Sequence, residues 1–425
     1  MTNLADQLTD QRWFGSKTRE VSHADVVEEV ALGDDLRISF VEATFGAGTH
    51  ETYQLLRDAG DGDVLAEHAL ELLDRIADDA DVAGGDSIVR FRSIADVDAT
   101  LLPRPMGAEQ SNSSIVFGDE LALKVYRRVE PGINPELEIA RFLSDHGFAH
   151  VPPLLGWYEV EGLAIDATLG LLQGYVAGGR DGWELAREEI LTAPDRFIER
   201  LGRLGEVIGE LHAVLGSDAT DPAFAPEEPS QEAIGLLTAT IDEEVERLFL
   251  GLGDGLATAE IRGRGEEIRD RLRALTQVAV GGRVIRHHGD LHLGQTLYTG
   301  DDWVVLDFEG EPGRPLAERR RKRSPLRDVA GMLRSFAYAA SAAEIQGGVA
   351  APADWEQRAR DTFLEGYLRT VDETLLPPGQ AATEQMLSIF ELERAIYELR
   401  YELNNRPDWV RIPIAGIQRL LDGEG

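Results

Sequence analysis

Two acidic stretches hold the residues best suited to chemistry: His288-Gly289-Asp290-Leu291-His292-Leu293-Gly294-Gln295 and Val304-Val305-Leu306-Asp307-Phe308-Glu309-Gly310. Each closes a short apolar run, Val284-Ile285 before the first and Trp303 to Leu306 before the second. Such runs, bounded by Gly and Asp, read as buried strands joined by a turn, and a hairpin would bring Asp290 and Asp307 together. Two carboxylates and an amide converging on one small volume suit magnesium-assisted phosphoryl transfer. One Asp orients and deprotonates a hydroxyl, while the other Asp and the amide oxygen hold the metal on the phosphates. Either aspartate alone reads more simply as a turn residue or a helix cap. The joint pattern favours kinase chemistry.

Lys124 and Glu138 form a second constellation. A strand lysine paired with a glutamate on the next helix positions the α- and β-phosphates of ATP in kinase-like folds; the plain alternative is a surface lysine and a solvated helix glutamate. The polar stretch Gly107 to Ser114, with Ser111 and Asn112, could present backbone N–H groups to phosphates, although it is not a GxGxxG loop. Gly15-Ser16-Lys17-Thr18 is no P-loop, because Ser16 and Gln11 stand where glycines are required. Gly251-Leu252-Gly253-Asp254-Gly255 has no strand before it and reads as an inter-helix loop.

Arg319-Arg320-Arg321-Lys322-Arg323 is the one basic cluster in the sequence. It reads equally well as a solvated face or as an electropositive rim near a nucleotide. Near the C-terminus, Glu398 and Glu402 are spaced i, i+4 and share a helix face, with Tyr401 beside them and Pro407-Asp408-Trp409 closing the helix. Carboxylates beside aromatic rings suit a sugar, whose hydroxyls donate to the acids while a ring covers its apolar face. The alternative is an exposed acidic helix with Trp409 in the core.

These residues need elements to position them. Asp35 to Ala43 alternates at period two and predicts a strand with one buried face. Ser113–Phe117 and Leu121–Tyr126 predict a hairpin through Gly118-Asp119-Glu120, which places Lys124 on a strand. Asn134-Pro135 marks a helix start that puts Glu138 in the first turns. Leu169 to Val176 predicts another strand. Beyond Gly179 helical periodicity dominates, in Arg200 to Leu215, Glu356 to Val371 and Ala382 to Asn404. The pattern is α+β in three parts: an N-terminal cap over 1–97, an intermediate region over 98–177 and a helical part over 178–425.

Composition narrows the function classes. The net charge of −35 over 425 residues disfavours nucleic acid as a partner, since phosphate contacts need a basic face. There is no Cys, which removes disulfides and thiolate metal sites. No apolar run approaches membrane-spanning length and the N-terminus has no secretory pattern, so a cytoplasmic location is expected. Lysine occurs only at Lys17, Lys124 and Lys322.

With these residues assembled, the chain resembles the actinobacterial maltokinase family, a relative of the aminoglycoside phosphotransferases and eukaryotic-like kinases. The resemblance rests on Gln11-Arg12-Trp13-Phe14-Gly15, Gly107-Ala108-Glu109-Gln110-Ser111-Asn112, the two acidic stretches with Glu311-Pro312, the stretch from Ser324 to Phe336, and Asn405-Arg406-Pro407-Asp408-Trp409. It implies a bilobal protein-kinase-like fold with a cap, an ATP-binding intermediate region and a helical C-lobe carrying the acceptor site. It implies Asp290 as catalytic base, Gln295 and Asp307 as Mg2+ ligands, and Lys124 with Glu138 on the ATP. By the same analogy the strand end Gln173-Gly174-Tyr175-Val176 is the hinge touching adenine. Gln295 stands where related phosphotransferases carry Asn, and its amide oxygen can still ligate magnesium. Maltokinases make maltose 1-phosphate; a closely similar group, the glucosamine kinases, phosphorylates the 6-hydroxyl of glucosamine. Trp13-Phe14-Gly15-Ser16-Lys17 and Leu403-Asn404-Asn405 resemble the second group. Glu398 and Glu402 could hold its ammonium, with Tyr401 and Trp409 nearby. A non-catalytic sugar- or nucleotide-sensing homologue is the reading from another class.

Overall fold

The computed structural model describes residues 4–33, 35–46, 48–58, 62–106, 112–162, 166–251, 259, 261–273, 282–311 and 313–422. The chain separates into two compact units, Met1–Gly178 with Arg314–Glu318, and Gly179–Gly313 with Arg319–Gly425.

The first unit is built on two antiparallel sheets. One runs Val21–Ala31, Arg37–Phe45, His50–Arg57 and Arg128–Val129. Its second strand was expected to bury one face, yet it buries both. Val41, Ala43 and Phe45 join a core with Leu8, Trp13 and Phe14, while Ile38 and Phe40 join a larger core on the other face. The period-two alternation divides apolar residues between two cores instead of separating core from water.

The larger sheet has seven strands, in the order Asp81–Ala83, Ile88–Ser93, Leu154–Glu161, Ala167–Gly174, Leu121–Val125, Ser113–Phe117 and Pro103–Pro105. It crosses the boundary expected at residue 97. Ile88–Ser93 pairs with Leu154–Glu161, and Arg128–Val129 pairs back with His50–Arg57. Backbone donors on an open strand edge need partners wherever those lie in sequence, so cap and intermediate region exchange strands. In Leu121–Val125 burial alternates: Leu121, Leu123 and Val125 enter the core and Lys124 points from the opposite face. The helix Pro135–Asp145 begins as its sequence predicts, with the Asn134 side chain accepting from Glu136 N at 2.8 Å and Pro in the first turn.

The second unit is mostly helical. Pro194–Leu215 and Trp355–Thr370 pack with their backbones nearly touching: a Cβ on Gly205 would lie 2.1 Å from Phe363 O, and one on Gly366 2.1 Å from Gly202 O. Against the helices lies a three-stranded sheet of Arg180–Asp181, Thr296–Tyr298 and Trp303–Val305. Its hairpin, with Thr296 opposite Val305, starts after Gln295. The apolar pair Val284-Ile285 was expected to form its leading strand, but makes only isolated bridges to Glu227 and Arg323. The two residues bond to different segments, so no single ladder runs along them. Asp290 therefore sits on a loop ahead of the hairpin. Among the described residues no helix is long and apolar enough to cross a membrane.

Candidate active site

In the second unit the two acidic stretches meet backbone to backbone. Gly289 has φ +86, and a Cβ there would stand 3.2 Å from Gly310 Cα; glycine is required on both counts. The His288 ring lies 4.8 Å from that of Phe308. Its Nε2 is 2.8 Å from Leu306 O, and its Nδ1 accepts from Asp290 N at 3.3 Å. This network assigns the neutral Nε2–H tautomer.

The loop before Asp290 is held from below by Asp328, in the first turn of the helix Leu326–Gly347. Its carboxylate accepts from His288 N at 2.7 Å and Gly289 N at 2.9 Å. The same carboxylate is 3.2 Å from His212 Nε2, and His212 Nδ1 is 3.1 Å from the Tyr367 hydroxyl. Burial alone would raise the Asp328 carboxyl, but His287, His212 and His288 around it hold it well below the usual carboxylate range. His287 is pushed down to about 4 by its burial.

Asp290 Oδ1 accepts from Arg394 Nη2 at 2.8 Å. Burial pushes the Asp290 carboxyl up, and the Arg394 guanidinium, with His292, outweighs burial and keeps it below its ordinary value. Among the described residues nothing donates to Oδ2. His292 is lowered by burial, against the opposing pull of Asp290 and, more weakly, Asp307.

Asp307 has φ +62, a left-handed conformation rare outside glycine. The turn aims its carboxylate at Gln295, whose Nε2 donates to Asp307 Oδ2 at 3.1 Å. An all-oxygen pair of carboxylate and amide suits magnesium, and exchanging the two ends of the amide presents its oxygen to a cation. These two residues fit a magnesium site.

In the first unit Lys124 Nζ donates to Glu136 Oε2 at 2.8 Å, and the Tyr126 hydroxyl donates to the same oxygen at 2.9 Å. This corrects the expected pairing with Glu138. Residues two apart on a helix do not share a face: Glu136 is buried against the strand, whereas Glu138 is only half-buried. Asn112 is buried just before the strand Ser113–Phe117. Ser111 lies outside the described residues, as do residues 252–255 of the glycine-rich loop. Gln173 pairs with Ala122 at the end of its strand. Tyr175 N donates to Glu120 O at 2.7 Å, and the Arg104 guanidinium sits 5.3 Å from the Tyr175 ring centroid.

On the helix Gln380–Asn405, Glu398 and Glu402 share a face as expected, but that face is turned inward and each already has a cation. Arg334 donates to Glu398 Oε2 through Nε at 3.0 Å and Nη2 at 2.7 Å. Glu402, 1% exposed, accepts from Tyr338 and twice from Arg406. Tyr401 points to solvent. Trp409 is buried in a cluster with Ala342 and Ile412, which is the core alternative weighed for it. Arg406 links the group, with its guanidinium 5.3 Å from the Tyr401 ring and 4.9 Å from that of Trp409.

Four residues beyond those singled out shape the site: Glu136, His212, Asp328 and Arg394. Arg394 stands four positions before Glu398, so its place on the Glu398–Glu402 face was readable from spacing. Asp328 and His212 carry no local signal, because each acts on a loop distant in sequence.

A strand lysine braced by a helix glutamate, and acidic loops braced by a buried aspartate, define a kinase-like phosphotransferase. Residues 100–364 match the Phosphotransferase enzyme family, APH. A "Glucosamine kinase" of Mycolicibacterium smegmatis is 30% identical over 86% of this chain and 90% of its own. Another, of Streptacidiphilus jiangxiensis, is 24% identical over 86% of this chain and 83% of its own. The fold matches the solved structure "Glucosamine kinase in complex with glucosamine, ADP and inorganic phosphate" with a TM-score of 0.73 at 19% identity, covering 99% of this chain and 100% of that one. The chain belongs to the APH phosphotransferase family, in the branch that contains the glucosamine kinases.

Proposed function

We propose that the protein transfers the γ-phosphate of ATP to the 6-hydroxyl of glucosamine. The observation that carries this reading is the Asp290 carboxylate, fixed through Oδ1 by Arg394 and held ionised, with Oδ2 left to receive a proton. The two relatives named above each bear the name glucosamine kinase.

In the reaction the sugar hydroxyl oxygen bonds to the γ-phosphorus as the bond from that phosphorus to the β-bridging oxygen breaks. The hydroxyl proton passes to Asp290 and ADP leaves. Lys124, oriented by Glu136, offsets phosphate charge, and Asn112, Gln173 and Tyr175 serve the nucleotide. Gln295 and Asp307 hold magnesium when it is bound, and it supplies charge stabilisation on the phosphates. For the acceptor, Glu398 is better placed than Glu402. Both Arg334 donors fall on Glu398 Oε2, which among the described residues leaves Oε1 with only Arg394 Nε at 4.0 Å. An ammonium can take that oxygen in a charge-assisted hydrogen bond. Glu402 is saturated and positions Arg406 and Tyr338.

The test is a coupled ADP assay with MgATP across glucosamine, glucose and maltose. Glucosamine should give the highest kcat/KM, and Asp290→Ala should remove turnover while the circular dichroism spectrum stays unchanged. Faster turnover of maltose would overturn the acceptor assignment. No sugar-dependent ADP formation would overturn the kinase reading.

A further inference from the structure

The basic stretch Arg319 to Arg323 plays no part in the chemistry proposed above. Residues 320–323 line a cavity of 680 Å3 in the second unit. That volume falls within the roughly 300–1,000 Å3 usual for small-molecule sites. A second wall is the segment from Arg283 to Arg286 that leads into the Asp290 loop, and Phe390 adds an apolar surface. The two walls are tied together by Ile285 N to Arg323 O and Arg323 N to Ile285 O, both 2.9 Å.

Cationic side chains outnumber carboxylates seven to three in the lining, in a chain whose net charge is −35. Five of these cations are engaged: Arg286, Arg320 and Arg323 have partners, and Arg327 and Lys322 are neutralised. Arg327 forks onto Glu393 at 2.6 and 2.8 Å, and Lys322 is taken by Glu227 and the carbonyls of Pro222 and Ala225. Arg286 is 3% exposed, its guanidinium 5.6 Å from the Phe224 ring centroid. Arg283 and Arg321 are exposed and make no ion pair among the described residues. Two guanidinium groups thus line one hollow with no carboxylate on them, and an anion between them would relieve their repulsion.

We propose that this cavity is a second ligand site, for a small phosphate-bearing anion. Guanidinium forks match phosphate oxygens in pairs. The cavity is concave and limited in volume, and the acidic chain repels an extended polyanion at long range, which excludes nucleic acid. The phosphate is either inorganic or an ester on an organic molecule, and the occupant lies directly behind the segment that carries Asp290.

The full chain is titrated calorimetrically, without magnesium and with ADP present to fill the nucleotide site. Pyrophosphate is the probe in one arm and glucosamine 6-phosphate in the other. The wild type should show a saturable event in at least one arm, weakened about tenfold or more in Arg283→Glu/Arg321→Glu. Tighter binding of pyrophosphate assigns the inorganic source, and tighter binding of the ester the organic one. No saturable event in the wild type, or equal affinity in the charge-reversed protein, overturns the proposal. Arg283→Ala/Arg321→Ala repeats the comparison if the reversed variant has an altered melting temperature. Both arms read binding and not turnover, so the result stands whether or not the kinase reading survives its own assay.

Discussion

Arg394 decides how Asp290 behaves. Its guanidinium offsets the burial that would otherwise raise the carboxyl. The folded value lies below the unfolded one, so this aspartate contributes stability above its unfolded pKa, about 3.9, and loses it as pH falls through the folded value. Arg394→Gln leaves burial unopposed by that charge. The acid limb of the pH–rate profile should then move to higher pH, and kcat should fall by roughly ten- to a hundredfold, as when a group that orients a catalytic base is lost. An unmoved acid limb in Arg394→Gln would show that the guanidinium does not act on the base proposed here, Asp290. At this scale the sequence was legible where neighbours are local: Gln295 and Asp307 lie in short strings whose residue types are informative, and the structure brings the two side chains together. It was less legible where a pair depends on helix phase. Glu136 and Glu138 are alike in type, and only burial against the strand tells them apart.

Helices were readable from their periodicity, and the start at Asn134-Pro135 from its capping chemistry. The hairpin was placed one segment too early, because Val284-Ile285 is apolar like a strand but its two residues bridge to two different segments. Close helix contacts were not readable, since a glycine in a helical run gives no hint of what approaches it. They are testable by adding a single methyl. Gly205→Ala would set a Cβ 2.1 Å from Phe363 O and should destabilise the chain by about 1–3 kcal/mol through overpacking, seen as a lower denaturant midpoint. Gly331→Ala would set one 2.5 Å from Leu291 O, beside Asp290, and should lower turnover more than Gly205→Ala does at matched stability. Equal turnover in the two folded variants would show that the loop tolerates the push.

Across the whole molecule, 77 acidic residues face 42 basic ones. Many arginines are drawn into ion pairs, including the buried forks Arg360–Glu391 and Arg334–Glu398. The remaining negative charge repels itself, and salt screens it over a Debye length of about 10 Å at 0.1 M. The melting temperature should therefore rise between 10 and about 150 mM NaCl, and a fall would mean that the ion pairs outweigh the repulsion. The change from strand-like to helix-like sequence near Gly178 was legible, and the two compact units divide there. The strand exchange across residue 97 was not, because pairing between Ile88–Ser93 and Leu154–Glu161 leaves no trace in either segment alone.

The scarcity of lysine has a practical outcome. An acylating probe would find only three side-chain amines, and two of them are engaged: Lys124 by Glu136, and Lys322 by Glu227 with two carbonyls. Mass spectrometry would read each amine on its own peptide, with exposed Lys17 as the internal reference, and slower labelling of Lys124 as ATP is added would follow occupancy of the nucleotide site without any engineered tag.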